Sequence, residues 1–144
     1  MKKLFIPVVT MLLISTGCSS KDNNYLSQKT YHVYDEIQDK TISWSELLKQ
    51  TNDEYFSYVY SPKCGHCNDI KQDVLDYGLS HSNFYFILYS SEIPVSYHVE
   101  DTIGKSDIND IFIVGTPTLI KVRDHTVINN IAGSKGILET LTNQ

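Results

Sequence analysis

Two cysteines stand three positions apart, at Cys64 and Cys67, within the run SPKCGHC. Residues at this spacing lie about one turn apart on the same face of a helix, close enough to close a small disulfide ring. The chemistry that this spacing predicts is thiol–disulfide exchange. Cys64 would attack as a thiolate and form a mixed disulfide, which Cys67 would then resolve.

The flanking segments predict the elements that position this pair. The aromatic and β-branched run from Tyr55 to Tyr60 indicates a buried strand, which ends at Ser61-Pro62. A helix should follow, because apolar side chains recur at helical spacing, namely at Ile70, Val74, Leu75 and Leu79. Cys64 then stands at the helix entrance. The helix dipole and unpaired backbone N–H groups there favour a thiolate.

The run from Tyr60 to Cys67 resembles the active-site motif of the thioredoxin superfamily, in the Cys-Gly-His-Cys form that is common in protein disulfide isomerases. A second run, Val114 to Thr118, resembles the cis-proline loop of that family. The resemblance covers roughly residue 31 to the C-terminus. It implies an α/β thioredoxin fold, with a mixed sheet of four to five strands flanked by helices. It also implies an enzyme whose only redox group is the Cys64–Cys67 disulfide, without a bound cofactor.

The resemblance also implies roles for residues around the pair. His66 would stabilise the Cys64 thiolate, and the Thr116-Pro117 peptide bond would be cis and bind substrate backbone beside the cysteines. Lys63 and Gly65 flank Cys64 and would tune its redox behaviour. Lys63 stands where the family usually carries Trp. The alternative to a redox-tuning role is that Lys63 is simply a solvated side chain on an exposed loop.

Two positions depart from the family pattern. The buried carboxylate that serves the resolving cysteine in relatives is replaced by Tyr58, which can donate a hydrogen bond but is a poor base near neutral pH. Gln72 stands where many relatives kink the helix with a proline. These departures bear on the rate and direction of the thiol chemistry.

The first thirty residues predict a leader and a tether. Lys2 and Lys3 precede an apolar stretch that suits a signal peptide and is too short to span a membrane. Small residues then precede Cys18, in a pattern that resembles a bacterial lipobox. We expect a lipoprotein signal peptide over residues 1–17, lipidation of Cys18, a flexible tether over 18–30 and a thioredoxin-like domain over 31–144. The alternative is a plain secretory signal with an incidental cysteine.

The remaining elements are predicted in chain order. They are an edge strand at Tyr31–Tyr34, a helix at Trp44–Gln50 behind a Ser43/Glu46 capping box, a strand at Phe84–Tyr89, a short helix capped by Ser106, a hairpin of Leu119–Val122 and Thr126–Ile131, and a last helix capped by Ser134. The segment from Glu92 to Asp110 is the least regular, and we expect it to contribute to substrate specificity.

The chain has 144 residues, a net charge of −5 and three cysteines. Scattered, outnumbered basic residues exclude a nucleic-acid-binding surface. The sequence therefore predicts a monomeric, membrane-anchored, extracytoplasmic thiol–disulfide oxidoreductase that acts on protein thiols or disulfides, with a membrane redox partner in the case of a reductase. Two alternatives stay open. One is a metal-binding or metallochaperone lipoprotein that uses the same cysteines, although no metal ligand set is evident, and the other is an inert structural disulfide.

Overall fold

The computed structural model describes residues 30–144. The predicted signal peptide, the lipidation of Cys18 and nearly all of the tether lie outside the described residues. None of the helices in the described part is both long and apolar enough to cross a membrane.

Between residues 30 and 144, four strands and three α-helices make up most of the regular structure. Their bounds are β1 Glu54–Tyr60, α1 Gly65–Asp69, α2 Lys71–Ser80, β2 Phe84–Leu88, β3 Thr118–Arg123, β4 Thr126–Ala132 and α3 Ser134–Thr142. Short 3-10 helices cover Tyr34–Lys40, Trp44–Glu46, Val99–Thr102 and Ile108–Asp110.

The strands form one mixed sheet in the order β2-β1-β3-β4. The β1–β2 pair is parallel, whereas β1–β3 and β3–β4 are antiparallel. The parallel pair is joined through α1 and α2, which is the β-α-β unit that the sequence predicts. The predicted α/β class and mixed sheet are thereby confirmed.

β1 is buried on both faces, which explains its nearly continuous apolar sequence. Successive side chains point to opposite sides of a strand, so the central residues of β1 enter two separate cores. Tyr58 and Tyr60 pack with Cys67 in the first core, which lies on the side of α2 and α3. Tyr55 and Val59 pack in the second core.

The irregular segment between β2 and β3 contributes three buried isoleucines to the second core, Ile93, Ile111 and Ile113. Val95 forms an isolated parallel bridge with Ile113. The 3-10 helix at Ile108–Asp110 in this segment is capped by the carboxylate of Asp107, which accepts the Asn109 N–H. The expected cap at Ser106 is therefore wrong. The expected role of this segment in specificity stays a prediction.

The predicted edge strand at Tyr31–Tyr34 is wrong, because a 3-10 helix begins at Tyr34. The Glu36 carboxylate accepts the Val33 N–H at 2.7 Å and so secures the start of that helix. The backbone of His32 is paired with a side chain instead of a strand: its N–H donates to Gln72 Oε1, and its carbonyl accepts from Gln72 Nε2, both at 2.8 Å.

The predicted helix at Trp44–Gln50 is shorter than expected and is a 3-10 helix. The Ser43/Glu46 capping box is present. Propagation of an α-helix would pair the Glu46 carbonyl with the backbone N–H four residues later. That carbonyl instead accepts the Gln50 side-chain amide and the Lys49 N–H, which ends the helix.

The helix that follows the cysteines is divided into α1 and α2 at Ile70, whose φ and ψ are −109° and 7°. The single helix expected there is therefore interrupted, although residues 65–80 contain no proline. The β3–β4 hairpin agrees with prediction, with Asp124 and His125 at φ of 49° and 59° in its turn. The cap of α3 is Gly133 and not Ser134.

Gly78 of α2 packs against the sheet without room for a side chain. A methyl group built at Gly78 would lie 2.8 Å from the Phe84 ring and still closer to the Phe86 ring. Alanine normally stabilises a helix interior by about 1 kcal/mol relative to glycine. Overlap with two buried rings should outweigh this gain, so we expect Gly78→Ala to lower the free energy of unfolding by about 2 kcal/mol.

Chemical denaturation measures this change. Gly65→Ala is the matched control, because an added methyl at Gly65 meets nothing within 4 Å. Equal stability of the two variants would show that α2 can move away from the sheet at little cost.

Candidate active site

Cys64 is held at the junction between β1 and α1. It is the N-cap residue of α1, with extended backbone angles of −86° and 120°. Its Sγ accepts the backbone N–H of Cys67 at 3.3 Å, as a capping side chain does at a helix start. The same sulfur donates to the Thr116 carbonyl, also at 3.3 Å. The sulfur is therefore fixed between the helix start and the loop before β3.

The surroundings of Cys64 lower its pKa. Burial alone would raise it, since desolvation disfavours the thiolate. Hydrogen bonds with the Cys67 thiol and the Thr116 side chain act in the opposite direction. Backbone N–H groups of Cys67 and His66 add to them, and the resulting pKa lies below the ordinary thiol value.

Cys67 differs in both exposure and acidity. It is fully buried, whereas Cys64 is only partly buried. Burial raises the pKa of the Cys67 thiol, and its hydrogen bond with Cys64 raises it further. The pair therefore combines a reachable, acidic sulfur with a shielded, less acidic one. This asymmetry is what an attacking and a resolving thiol require.

The loop before β3 meets this sulfur. The Thr116–Pro117 peptide bond is cis, as the sequence predicts. The Pro117 carbonyl accepts the Gly133 N–H, and the Thr118 hydroxyl donates to the Gly115 carbonyl. These contacts join the loop to the end of β4. The structure thus combines a mixed sheet, a cysteine pair after β1 and a cis-proline loop beside that pair. The chain has a thioredoxin fold.

Comparison with solved structures returns thioredoxins. The long form of spinach chloroplast thioredoxin f has 12% identity and a TM-score of 0.48, over 79% of this chain and 96% of its own. Mitochondrial thioredoxin 3 of Saccharomyces cerevisiae has 15% identity and a TM-score of 0.47, over 73% and 94%. Thioredoxin f2 of Chlamydomonas reinhardtii has 18% identity and a TM-score of 0.46, over 72% and 93%. Comparisons with family models and with curated protein sequences each find no match.

His66 occupies an exposed position. Its side chain is 81% exposed, and Nδ1 lies 3.7 Å from the Asp69 carboxylate, so this imidazole has an acidic neighbour. Its carbonyl accepts a hydrogen bond from the Ser134 hydroxyl, which ties α1 to the start of α3. The backbone of His66, as described above, contributes to the low pKa of Cys64. The role of its imidazole stays a prediction.

Lys63 and Gly65 lie on either side of Cys64 at the surface. The Lys63 side chain is exposed, and its backbone N–H donates to the Ser61 hydroxyl at 3.3 Å. Gly65 is the first residue of α1. Their predicted redox-tuning roles are neither confirmed nor contradicted by this placement.

Sequence analysis missed Tyr34. Its ring stacks on Tyr60 with centroids 4.4 Å apart, and it packs against the core that contains Cys67. Desolvation raises the pKa of Tyr34 to about 12, with a smaller contribution from Cys67. Nothing in the spacing of the sequence pairs Tyr34 with Cys67, because they are 33 positions apart and the segment was expected to form an edge strand.

Metal ligands are not gathered elsewhere in the described chain. Between residues 30 and 144, no group of three or more His, Cys, Asp or Glu side chains lies close enough together to hold a metal ion.

The two thiols should differ in reactivity toward iodoacetamide. In full-length chains with Cys18→Ser, we compare Cys67→Ser, which leaves Cys64, with Cys64→Ser, which leaves Cys67. Because the pKa of Cys64 is lowered, its thiolate persists to lower pH, and it should be alkylated at least about tenfold faster than Cys67 at pH 6.

The pH profile provides the decisive comparison. The alkylation rate of Cys64 should reach half of its maximum below the pH found for free cysteine, and that of Cys67 above it. Indistinguishable profiles for the two variants would contradict the asymmetry of the site.

Proposed function

We propose that this protein is an extracytoplasmic thiol–disulfide oxidoreductase that exchanges disulfides with protein substrates through Cys64 and Cys67. The observation that carries the proposal is the position of Cys64 Sγ. It caps a helix beside the Thr116 carbonyl, its pKa is lowered, and it lies over a fully buried second thiol. A structural staple would need neither the partly accessible Cys64 sulfur nor the difference in acidity between the two thiols.

The exchange takes place in two steps. In the reducing direction, the Cys64 thiolate attacks a substrate disulfide, forms the Cys64–substrate bond and releases one substrate thiolate. Cys67 then loses its proton and attacks the Cys64 sulfur, which forms the Cys64–Cys67 disulfide and releases the second substrate thiolate. Two electrons pass to the substrate, and the two protons from the cysteines end on its thiols. The oxidising direction reverses both steps.

The low pKa of Cys64 favours the oxidising direction. Interactions that stabilise a thiolate stabilise the reduced protein, and a more stable reduced form makes the disulfide a stronger oxidant. In this chain these interactions include hydrogen bonds with the Cys67 thiol and with backbone N–H groups at the start of α1. We propose oxidase or isomerase activity ahead of reductase activity. A reductase would need an electron donor in the membrane.

The location rests on the sequence of the leader. Lys2, Lys3 and the apolar stretch that follows are typical of a signal peptide, and Cys18 stands where a lipobox would be modified. We propose a monomer anchored through lipid on Cys18, with its active site on the extracytoplasmic side, where disulfides persist. The described residues offer no observation that favours the metal-binding alternative.

Replacing the resolving thiol should trap substrates. In the natural host, the full-length Cys67→Ala protein should accumulate mixed disulfides on Cys64, because the second step is blocked after the first has occurred. These adducts should appear as higher-mass bands on non-reducing gels and vanish with a reductant.

Cys64→Ala is the matched control and should trap nothing, since Cys67 is buried. Equal trapping by the two variants, or none by Cys67→Ala, would contradict the proposed exchange.

The redox potential should exceed that of thioredoxin, which is about −270 mV. Titration of the Cys64–Cys67 couple against glutathione, followed by alkylation and mass determination, measures it. If the His66 imidazole contributes, His66→Ala should lower the potential by about 30 mV, which corresponds to a tenfold change in the equilibrium constant.

His98→Ala is the control, because this exposed histidine lies in the segment between β2 and β3 and pairs with Glu100. A wild-type potential at or below that of thioredoxin would remove His66 from the account of oxidising strength. An unchanged potential in His66→Ala would do the same.

A further inference from the structure

Two tyrosine hydroxyls in the first core lack a hydrogen-bond partner. The oxygens of Tyr34 and Tyr58 are shielded from solvent, and neither has a partner at normal hydrogen-bond geometry, although Cys67 lies near enough to the Tyr58 hydroxyl to act on its pKa. Tyr55 shows the contrast: it is just as buried on the same strand, and its hydroxyl donates to the Leu47 carbonyl at 2.6 Å. Buried polar groups are nearly always paired, so two unpaired hydroxyls in one core call for a physical reason.

Both hydroxyls lie beside the buried cysteine. Tyr58 is 1% exposed and packs in the same core as Cys67. Desolvation raises the pKa of Tyr58 well above its usual value, and the adjacent Cys67 thiol raises it further. Tyr34 is influenced by Cys67 in the same way, and it adjoins Tyr58 as well. The three groups therefore lie in one core, close enough to influence one another.

The groups that face the Cys67 sulfur include no carboxylate within the described chain. They are the Cys64 thiol, the Ser61 backbone, the Thr116 side chain, and the hydroxyls of Tyr34 and Tyr58. From α3, the same core receives apolar side chains such as Ile137.

Within the described chain, charged groups adjoin Tyr34 and Tyr60 and not the Cys67 sulfur. Lys71 Nζ lies 4.6 Å from the centre of the Tyr34 ring. Asp35 acts on Tyr60 and raises its pKa, after desolvation as the main cause. The resolving sulfur must therefore become a thiolate in surroundings that supply neither a base nor a formal positive charge next to it.

We propose that Tyr58 donates a hydrogen bond from its hydroxyl to the Cys67 sulfur as that sulfur becomes a thiolate, with Tyr34 as a second donor. The inference rests on the proposed function, because it concerns the resolving step. A hydrogen bond to an ionised acceptor is about twice as strong as one between neutral groups. The hydroxyls are thus held ready for a charge that forms only during exchange.

The bonds and protons of this resolving step balance. The Cys67 S–H bond breaks and its proton leaves to water, because both tyrosines keep their own protons near neutral pH. The Cys67 thiolate attacks Cys64 Sγ of the mixed disulfide, the Cys64–Cys67 bond forms, and the Cys64–substrate bond breaks. The substrate sulfur leaves with the electron pair of that bond and takes up a proton from water.

Reaction of the reduced protein with Ellman's reagent separates the two thiols. In the full-length chain with Cys18→Ser, Cys64 attacks the reagent and releases one thiolate in a bimolecular phase. Cys67 then displaces the second in a unimolecular phase. We expect Tyr58→Phe to leave the first phase unchanged and to slow the second about tenfold at pH 7, which corresponds to the loss of one hydrogen bond to a charged group. The half-maximal pH of the second phase should rise by about one unit.

Tyr34→Phe should slow the same phase to a smaller extent, and it provides a second test if Tyr58→Phe is poorly folded. Tyr55→Phe is the matched control, because it removes a hydroxyl from the same strand on the opposite face of the sheet. It should lower the melting temperature and leave both phases unchanged, whereas Tyr58→Phe should not lower the melting temperature, since it removes an unpaired hydroxyl.

A normal second phase in both Tyr58→Phe and Tyr34→Phe would overturn the inference while leaving the proposed function intact. Equal slowing in Tyr55→Phe would also overturn it, since a general loss of packing would then explain the effect. Absence of the first phase in the parent chain would overturn the proposed function and this inference together.

Discussion

The site depends on one contact, the hydrogen bond from the Cys67 backbone N–H to Cys64 Sγ. This bond begins α1, fixes the position of the attacking sulfur and contributes to its acidity at the same time. It can form because a turn of only four residues separates β1 from α1, and β1 is held in place by burial on both faces. The position and the acidity of the attacking thiol therefore depend on the central strand.

Much of the fold follows from local patterns in the sequence. The apolar run of β1, the aromatic run of β2 and the short polar segment of the hairpin each specify their own structure, and the cysteine spacing specifies the chemistry. The predictions that proved wrong concern segments whose backbone groups form hydrogen bonds with a side chain from a distant part of the chain. Gln72 pairs with His32 across 40 positions, and no local pattern in Tyr31–Tyr34 could show that this pairing replaces a strand.

Local motifs also decide which residues of the site could be predicted from the sequence. Cys64, Cys67 and the Thr116-Pro117 loop carry recognisable motifs. The cluster formed by Tyr34, Tyr58 and Cys67 carries no such motif, because these residues come from three separate elements and meet only in the first core. The resemblance to thioredoxins implies that Tyr58 replaces a carboxylate. It cannot show that a second hydroxyl converges on the same sulfur, or that both hydroxyls are unpaired.

The pairing between Gln72 and His32 has a further consequence for how the domain holds its N-terminal segment. An amide does not titrate, so these two hydrogen bonds keep the same strength from acidic to alkaline surroundings. The His32 ring has two acidic neighbours, with ring nitrogens 2.8 Å from the Glu36 carboxylate and 3.5 Å from the Asp76 carboxylate. The segment that leads into the domain is thus attached to α2 by two hydrogen bonds of a neutral amide, whose strength does not depend on the charge of any side chain.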